Sequence, residues 1–257
     1  MTAALHRLEI LALIPARGGS KGVPRKNVRM VAGKPLVAYS IEQALASCRI
    51  TRTIVSTDDF EIADVAETYG AEVPFLRPAE LALDLSPDID VFRHALEWLR
   101  SRDGYQCDLV VHLRPTQPVR RVDLIDEAID TMIRSPDAHS LRSVSRADQT
   151  PYKMWQVVNG RLEPLLQLTG AAESHSLPRQ ALPDVYWQNG YVDIVRPHVV
   201  LDLGMMAGHR IVPFIVHDPV PGLDYEDDVP RLEEALSALG RGEWPGAHLL
   251  RASRHPV

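Results

Sequence analysis

Short apolar runs alternate with segments of helical periodicity through the first half of the chain. The first apolar run, residues 8–14, is followed by a helical pattern at residues 36–46, and this order recurs. The same criteria predict further strands at residues 52–57, 71–75 and 107–113, and further helices near 60–69, 90–100 and 122–134. Strands that alternate with helices are typical of βαβ units. The pattern therefore predicts an α/β fold, doubly wound around a mostly parallel sheet.

The alternation changes after Pro136, where shorter strand-like pieces appear. Asn159-Gly160 separates two of them, residues 152–158 and 161–166, and this dipeptide is typical of a tight hairpin turn. We interpret residues 140–185 as a small arm inserted into a single domain of residues 1–257. Such an arm could cover a neighbouring subunit or form a lid over the active site, and composition does not separate the two. The chain then returns to strands at residues 185–195 and 211–216 and closes with a helix at 227–239.

Composition narrows the class of function. The 257 residues carry a formal net charge of −6, which disfavours nucleic-acid binders because their binding face is basic. No run approaches the ~20 apolar residues that a membrane span needs, and charges interrupt residues 1–10 where a signal peptide would be apolar. Two cysteines, Cys48 and Cys107, are too few for a disulfide framework. We therefore expect a cytoplasmic protein without nucleic-acid or membrane partners.

One segment departs from the acidic average. Residues 17–29 contain five cations, three glycines and no acid, directly after the first predicted strand. Glycines let backbone N–H groups approach an anion closely, and the carboxyl end of a strand is where open α/β sheets bind ligands. The spacing matches neither the phosphate loop of P-loop NTPases nor the dinucleotide-binding glycine motif. We interpret the segment as a phosphate-binding loop, and the alternative is a solvated basic loop.

The loop and several later blocks resemble one enzyme family. Residues 14–27, which read IPARGGSKGVPRKN, are similar to the N-terminal signature of the acylneuraminate cytidylyltransferases. Matching blocks follow in order over roughly residues 10–240: VSTDD at 55–59, RPAELA at 77–82, LRPTQPVR at 113–120, PRQ at 178–180 and NG at 189–190. The resemblance implies a Rossmann-like nucleotidyltransferase fold and a homodimer. It also implies transfer of CMP from CTP to the anomeric hydroxyl of a nine-carbon α-keto acid sugar, with Mg²⁺ as cofactor and release of pyrophosphate.

The resemblance assigns the nucleotide to the first loop and to a later segment. It implies that the nucleotide contacts come from Arg17, Gly18, Ser20, Lys21, Lys26, Asn27, Arg77, Asp84 and Asp88. Nucleotidyl transfer requires that charge developing on phosphate oxygens be neutralised, a task suited to cations. We predict that Arg17 and Lys26 carry this catalytic role.

A magnesium site is expected near the end of the chain. Asp224 and Glu226 follow the last predicted strand, and alternation in an extended backbone would point both carboxylates to one side. Mg²⁺ usually takes one or two carboxylates and completes its shell with water and substrate phosphates. The resembled family typically has aspartate at both positions, so Glu226 departs from its pattern. The alternative is that the neighbouring acids, Asp227 and Asp228, cap the closing helix.

The resemblance also implies how the acceptor sugar binds. Arg179 would bind the acceptor carboxylate, for which a bidentate guanidinium is suited. The other implied sugar contacts are Arg114, Thr116, Gln117, Lys153, Gln180, Asn189 and Asp193. Arg114 stands where the family usually has glutamine and Asp193 replaces a sugar-facing tyrosine, so we expect a related nonulosonic acid of the legionaminic, pseudaminic or deaminated type. Alternatively, Arg114 and Asp193 form a buried ion pair with little effect on the substrate, and Asn189 belongs only to a turn.

The remaining candidates have structural interpretations. His112 and His175 lack the spacing of zinc ligands and are interpreted as structural or exposed. Trp155 and Trp187 could stack on a ligand, although a subunit contact is the commoner use of such side chains. Two other functions stay open at this point: a Kdo-type or sugar-1-phosphate nucleotidyltransferase with the same fold, and a nucleotide-binding regulator without catalysis.

Overall fold

A computed structural model of the chain describes residues 8–217 and 221–243. The strands in this part are β1 Ile10–Pro15, β2 Met30–Val31, β3 Lys34–Pro35, β4 Arg52–Ser56, β5 Leu109–His112, β6 Ser140–Arg146, β7 Trp155–Val158, β8 Arg161–Pro164, β9 Tyr186–Val195 and β10 Ile211–Ile215. The α-helices are α1 Leu36–Ala46, α2 Phe60–Thr68, α3 Asp88–Arg102, α4 Val122–Ile133, α5 Pro197–Leu201 and α6 Val229–Gly240. None of these helices is long and apolar enough to cross a membrane. The predicted single domain of residues 1–257 also includes residues 1–7, 218–220 and 244–257, which lie outside the described part.

Six strands form the central sheet, in the order β10-β6-β9-β5-β1-β4. β1 pairs in parallel with both β4 and β5, and β10 pairs in parallel with β6. β9 runs antiparallel to both of its neighbours. The prediction of a doubly wound α/β fold with a mostly parallel sheet is therefore confirmed. The carboxyl ends of β1, β4 and β5 meet at one edge of the sheet.

The central strand β1 is buried on both faces because its run is apolar throughout. Side chains alternate between the two faces of a strand. In β1, Ala12 and Ile14 belong to the core that contains residues of α1, α2 and α4, whereas Leu11 and Leu13 pack with residues of α3 and α5. All four side chains are fully buried. A continuous apolar run is what a central strand covered on both faces requires.

Two predicted features need correction. Residues 71–75 do not form a regular strand; the stretch makes one isolated bridge, from Glu72 to Ile54 of β4, and a second bridge joins Leu76 to Thr57 just beyond it. Pro74 lies within the stretch and has no N–H group to donate to a ladder. The predicted arm of residues 140–185 begins too early, because β6 pairs with both β9 and β10 in the central sheet. The arm proper is residues 147–185.

The hairpin within the arm is confirmed. β7 and β8 pair in antiparallel register around Asn159-Gly160. Both turn residues have positive φ, 52° at Asn159 and 73° at Gly160. Positive φ at both central residues is characteristic of the type I′ turn, whose twist matches that of the flanking strands.

One buried side chain holds the loop between β5 and α4. Arg120 is 2% exposed and donates hydrogen bonds to the carbonyl oxygens of Tyr191 and Arg114. It also donates to Ser40 Oγ and to Gln43 Oε1 of α1. Each of these buried acceptors would cost ~1–3 kcal/mol if left unpaired. The loop is therefore tied to α1 and to β9, at the edge of the sheet where the candidate site lies.

Candidate active site

A cavity of about 360 Å³ lies at the carboxyl ends of β1 and β5. Five basic and three acidic side chains line it, together with backbone and apolar groups. Its lining consists of Pro15, Arg17, Ser20, Lys21, Gly22, Lys26, Asn27, Arg77, Leu81, Leu83, Asp84, Ser86, Asp88, Val91, His112, Arg114, Pro115, Thr116 and Asp224. The loop that the sequence predicts to bind phosphate thus forms one wall of the cavity.

Two glycines of this loop lie too close to their neighbours for any side chain. A Cβ on Gly22 would lie 2.6 Å from the backbone oxygen of Asp224, and one on Gly18 would lie 2.6 Å from Asp59 Oδ2. Gly19 has nothing within 4 Å of the corresponding position. Glycine is therefore required at Gly22 for the loop to reach the C-terminal segment. Gly18 lies behind the cavity wall, outside the lining.

Lys26 joins the loop to the C-terminal segment. Its Nζ donates a hydrogen bond to the carbonyl oxygen of Leu223 at 3.1 Å and lies 4.0 Å from Asp224 Oδ1. Burial lowers the pKa of Lys26; Asp224 opposes this effect, and the nearby Arg17 lowers the pKa further. An amine so placed needs little extra desolvation to meet a phosphate oxygen.

Arg77 is the most deeply buried cation of the cavity wall, with a side chain that is 4% exposed. Its Nε and Nη2 atoms have no hydrogen-bond partner within the described residues. The closest carboxylate, that of Asp58, lies 3.7 Å away. Burial lowers the pKa of Arg77, because the charged form loses its solvent. A buried guanidinium with free donors is suited to an anionic or strongly polar ligand.

Acidic side chains pair with several of the cavity cations. The Asp84 carboxylate lies 3.0 Å from Arg17 Nη2 and contacts Lys21 Nζ. The hydrogen bond from Lys21 lowers the pKa of Asp84. Asp88, the first residue of α3, lies 3.5 Å from Arg114. These acids neutralise the same cations that the sequence assigns to the substrates.

The two predicted metal ligands are not brought together. Asp224 lines the cavity, whereas Glu226 lies outside the lining and pairs with Arg29. The backbone is extended at Tyr225, as expected, but the extended stretch ends there because Glu226–Asp228 forms a 3₁₀ turn. The Asp228 carboxylate accepts hydrogen bonds from the N–H groups of Asp224 and the following residue, both at 2.9 Å. Asp228 thus caps the turn that leads into α6.

Asp224 is the carboxylate of the cavity wall nearest to Lys26. Within residues 8–217 and 221–243, no group of three or more His, Cys, Asp or Glu side chains could hold one. Mg²⁺ needs only one or two carboxylates when substrate phosphates supply the other ligands. The Asp224 side chain is 69% exposed and faces Lys26 of the cationic loop, residues 17–29, at the cavity. A single carboxylate at this position fits Mg²⁺ that arrives with a nucleotide.

Arg114 and Asp193 form the ion pair that the sequence left as an alternative. Arg114 Nη1 lies 2.5 Å from Asp193 Oδ2. Arg142 Nη1 lies 2.8 Å from the same oxygen, and Gln188 Nε2 donates to it at 3.0 Å. Asp193 is 2% exposed and lies outside the cavity lining. Its carboxylate therefore orients Arg114, which does line the cavity.

Asn189 and Gln117 lie beside the cavity without lining it. Asn189 is 3% exposed, donates to Ser145 Oγ at 2.8 Å and accepts from the Tyr191 N–H at 3.0 Å. The residue lies within β9, where the register with β6 shifts and Gly190 has φ of 70°. The alternative of a simple turn is therefore wrong, since Asn189 begins a β-bulge. Gln117 packs against this bulge, with Cγ 3.5 Å from the position of a Cβ on Gly190.

Three predicted sugar contacts lie on the arm. Lys153 ends the 3₁₀ turn Pro151–Lys153, and Arg179 and Gln180 belong to the turn Arg179–Ala181. All three are exposed, and none contributes to the cavity lining. Their assignment to the acceptor sugar stays a prediction.

The sequence interpretation did not place His112 in the cavity. The residue ends β5, is 1% exposed and lines the cavity two residues before Arg114. The signal that identifies it is its position at the carboxyl end of a central strand, where ligands of α/β sheets bind. His175 lies on the arm, where its ring centroid is 4.5 Å from that of Trp155.

Comparisons with known proteins bear on this site. A family model described as cytidylyltransferase matches residues 11–153. CMP-N,N'-diacetyllegionaminic acid synthase of Legionella pneumophila is 43% identical over 144 residues, which are 56% of this chain and 61% of that protein's length. Post-translational flagellin modification protein B of Campylobacter coli is 32% identical over 212 residues, covering 82% of this chain and 87% of that protein. The solved structure of CMP:2-keto-3-deoxy-manno-octonic acid synthetase complexed with CTP has a TM-score of 0.68 at 17% identity, covering 90% of this chain and 99% of that one, and shows the same fold.

The close approach at Gly22 can be tested directly. We expect Gly22→Ala to weaken CTP binding about tenfold or more, because its Cβ would collide with the Asp224 backbone oxygen. Gly19→Ala is the matched control and should change the affinity less than about twofold, since nothing lies near its Cβ position. Isothermal titration calorimetry with CTP and Mg²⁺ measures both variants. Equal affinities would contradict a role for the contact between the loop and the C-terminal segment.

Proposed function

The chain belongs to the cytidylyltransferase family, and from this premise we propose that it transfers CMP from CTP to the anomeric hydroxyl of a nonulosonic, sialic-type α-keto acid sugar, releasing pyrophosphate. The observation that carries the proposal is the cationic cavity at the carboxyl ends of β1 and β5, built from the loop within the family match. The names of the Legionella protein and of the CTP-bound structure support a CTP donor and a sugar-acid acceptor.

Charge neutralisation on the triphosphate is the first task of the cavity. We propose that Arg17, Lys21 and Lys26 bind phosphate oxygens, together with Arg77. Phosphates would then replace the Asp84 carboxylate as the partner of Arg17 and Lys21. Because the transition state of phosphoryl transfer carries extra charge on these oxygens, cations already in place lower the barrier.

The chemical step needs no covalent enzyme intermediate. The anomeric oxygen of the acceptor forms a bond to the α-phosphorus of CTP, and the bond from that phosphorus to pyrophosphate breaks. The hydroxyl proton leaves the acceptor oxygen to a base in the site. Positioning accounts for much of such catalysis, because the two reactants must lie in line. The cavity walls supply this positioning from opposite sides.

We propose that Asp224 holds Mg²⁺ together with the substrate phosphates. Bound there, the ion would neutralise phosphate charge. Lys26, 4.0 Å from the Asp224 carboxylate, keeps that carboxylate directed toward the loop. Glu226 is engaged by Arg29 and takes no part in this arrangement.

Arg114 is proposed to contact the acceptor. Its guanidinium is oriented by Asp193 and partly neutralised by Asp88, so a strongly polar group of the acceptor, or its carboxylate in place of the predicted contact with Arg179, could replace Asp88 as its partner. An arginine at this position favours an acceptor that offers an anionic or strongly polar group here.

A product screen tests the activity. We expect pyrophosphate release and a CMP-linked product, identified by mass, when CTP and Mg²⁺ are combined with one of four acids: N,N'-diacetyllegionaminic acid, pseudaminic acid, N-acetylneuraminic acid and 2-keto-3-deoxy-manno-octonic acid. UTP, ATP and GTP should be poor donors. Preference for the octonic acid would select the Kdo-type alternative. Binding of CTP without turnover of any acid would select the regulator.

The same assay tests the loop cation. Lys26→Ala should lower kcat/KM by about 10²–10³-fold, the effect of removing one group that stabilises transition-state charge. Lys34→Ala is the control, because Lys34 pairs with Glu42 outside the cavity lining. Loss of activity in both variants alike would contradict a specific role for Lys26.

The magnesium proposal predicts different effects for substitutions at Asp224 and at Glu226. Asp224→Asn should raise the Mg²⁺ concentration for half-maximal activity about tenfold or more, because the neutral amide is a weaker ligand for a hard cation. Glu226→Gln should shift it less than about threefold, since only an exposed contact to Arg29 is lost. Equal shifts would support the two-carboxylate site that the sequence predicts.

We also propose that the protein is a homodimer joined through the arm. Val157 and Leu162 lie directly opposite each other in the β7–β8 hairpin and are 73% and 63% exposed. Trp155 lies on the same face of the hairpin, since alternate residues share a face. Trp187, at the start of β9, is also 55% exposed. An exposed apolar face of this kind is typical of a subunit contact.

The oligomeric state tests this proposal. Wild-type protein should sediment as a dimer, whereas Val157→Asp combined with Leu162→Asp should sediment as a monomer at the same concentration. Gln156→Asp, on the opposite face of the hairpin, is the matched control and should remain dimeric. A monomeric wild-type protein would instead favour the lid interpretation of the arm.

A further inference from the structure

His112 carries two buried polar atoms without partners. Its ring nitrogens, Nδ1 and Nε2, are both buried, and neither has a hydrogen-bond partner within the described residues. The imidazole lines the cavity, where it is 1% exposed. Its ring packs at a steep angle against Phe92 of α3, with centroids 4.8 Å apart. Buried hydrogen-bonding atoms are unfavourable when unpaired, so a ligand that pairs with them gains from doing so.

The protonation state of His112 limits what it can bind. Burial lowers the pKa of His112 well below its ordinary value, and Arg114, Arg142 and Arg120 lower it further. A neutral imidazole offers one N–H donor and one acceptor nitrogen. Hydroxyl and amide groups match this pair, whereas a carboxylate or phosphate is better served by the neighbouring guanidinium groups.

The topology places His112 on β5, between β9 and the strand that leads into the loop of residues 17–29, where it pairs with Leu13 of β1 on one side. His112 ends β5 and pairs directly across the sheet with Asp193 of β9. Residues paired in this way point to the same face of the sheet. The loop follows β1, and Arg77 lies beyond β4, on the other side of β5. His112 therefore lies next to Arg114 and Asp193, where the acceptor is proposed to bind.

We propose that His112 is an acceptor-binding residue whose imidazole hydrogen-bonds an uncharged hydroxyl or acylamino group of the α-keto acid sugar. This inference rests on the proposed function and adds a specificity determinant to it. Arg114 would take a charged group of the acceptor while His112 takes a neutral one beside it. A site with such a group discriminates against acids that lack the matching polar atom, because the imidazole then stays unpaired.

Steady-state kinetics with His112→Leu test the inference. Leucine keeps the apolar contact with Phe92 but removes both ring nitrogens. The acid that the wild-type enzyme converts best in the four-acid panel is the probe. We expect its KM to rise about tenfold or more, with little change in kcat. The Kd for CTP, measured by calorimetry, should not rise with the acceptor KM, and the Tm of the ligand-free protein should not fall, because the ring nitrogens have no partner to lose within the described residues.

Two further variants keep the test decisive. His112→Gln retains a donor and an acceptor and should recover part of the acceptor affinity. If the leucine variant does not fold, the KM of His112→Gln against the acid panel decides the question. His94→Leu is the matched control, since His94 also has an unpartnered buried Nδ1 but lies outside the cavity lining. Its acceptor KM should stay within about twofold of wild type.

The inference is overturned by any of four results, in the acceptor KM, the Kd for CTP, the Tm or the wild-type activity. An acceptor KM that is unchanged in both His112 variants overturns it, while the active wild-type enzyme leaves the proposed function intact. An increase in the Kd for CTP that equals the increase in acceptor KM assigns the contact to the nucleotide instead. A fall in Tm with parallel loss of every parameter assigns His112 a structural role. A wild-type enzyme that converts no acid overturns the proposed function, and the inference falls with it.

Discussion

Positive charge gathered at the carboxyl end of β1 requires a counter-charge, and much of the surrounding structure supplies one. Asp84 lies between Arg17 and Lys21, and Asp224 faces Lys26. Asp58 lies 3.7 Å from Arg77, but the Nε and Nη2 atoms of this guanidinium have no hydrogen-bond partner within the described residues. When phosphates replace carboxylates in such a site, the charge stays balanced. The cations are already partly desolvated, so ligand binding carries only part of their desolvation cost.

The second constraint is the close contact between segments far apart in the chain. Gly22 touches the backbone of Asp224, and Lys26 donates to the carbonyl oxygen of Leu223. The family match ends at residue 153, yet the C-terminal segment completes the cavity wall. The site is therefore a product of the whole fold and not of the first loop alone.

The side of the cavity that we propose for the acceptor differs in how its charges are arranged. Here the sheet carries a buried carboxylate, Asp193, between Arg114 and Arg142, next to the neutral His112. Buried polar groups contribute less to stability than apolar packing, but they orient one another in a low-dielectric setting. Arg114 and Gln117 pack against the β-bulge at Gly190. Charge and shape at this end of the cavity are thus set by strands that meet only in the folded sheet.

The α/β fold, the Asn159-Gly160 hairpin and the place of the cationic loop after β1 could all be predicted from the sequence, because apolar periodicity, turn chemistry and local charge are properties of adjacent residues. The sequence did not reveal that Glu226 lies in a 3₁₀ turn. The Asp228 carboxylate stabilises this turn over an extended backbone, because it accepts a hydrogen bond from the Asp224 N–H group. Nor did the sequence reveal His112 as a cavity residue. Tertiary structure alone decided these points, because burial and side-chain direction depend on which strands and loops lie opposite each other, and those partners are distant in the chain.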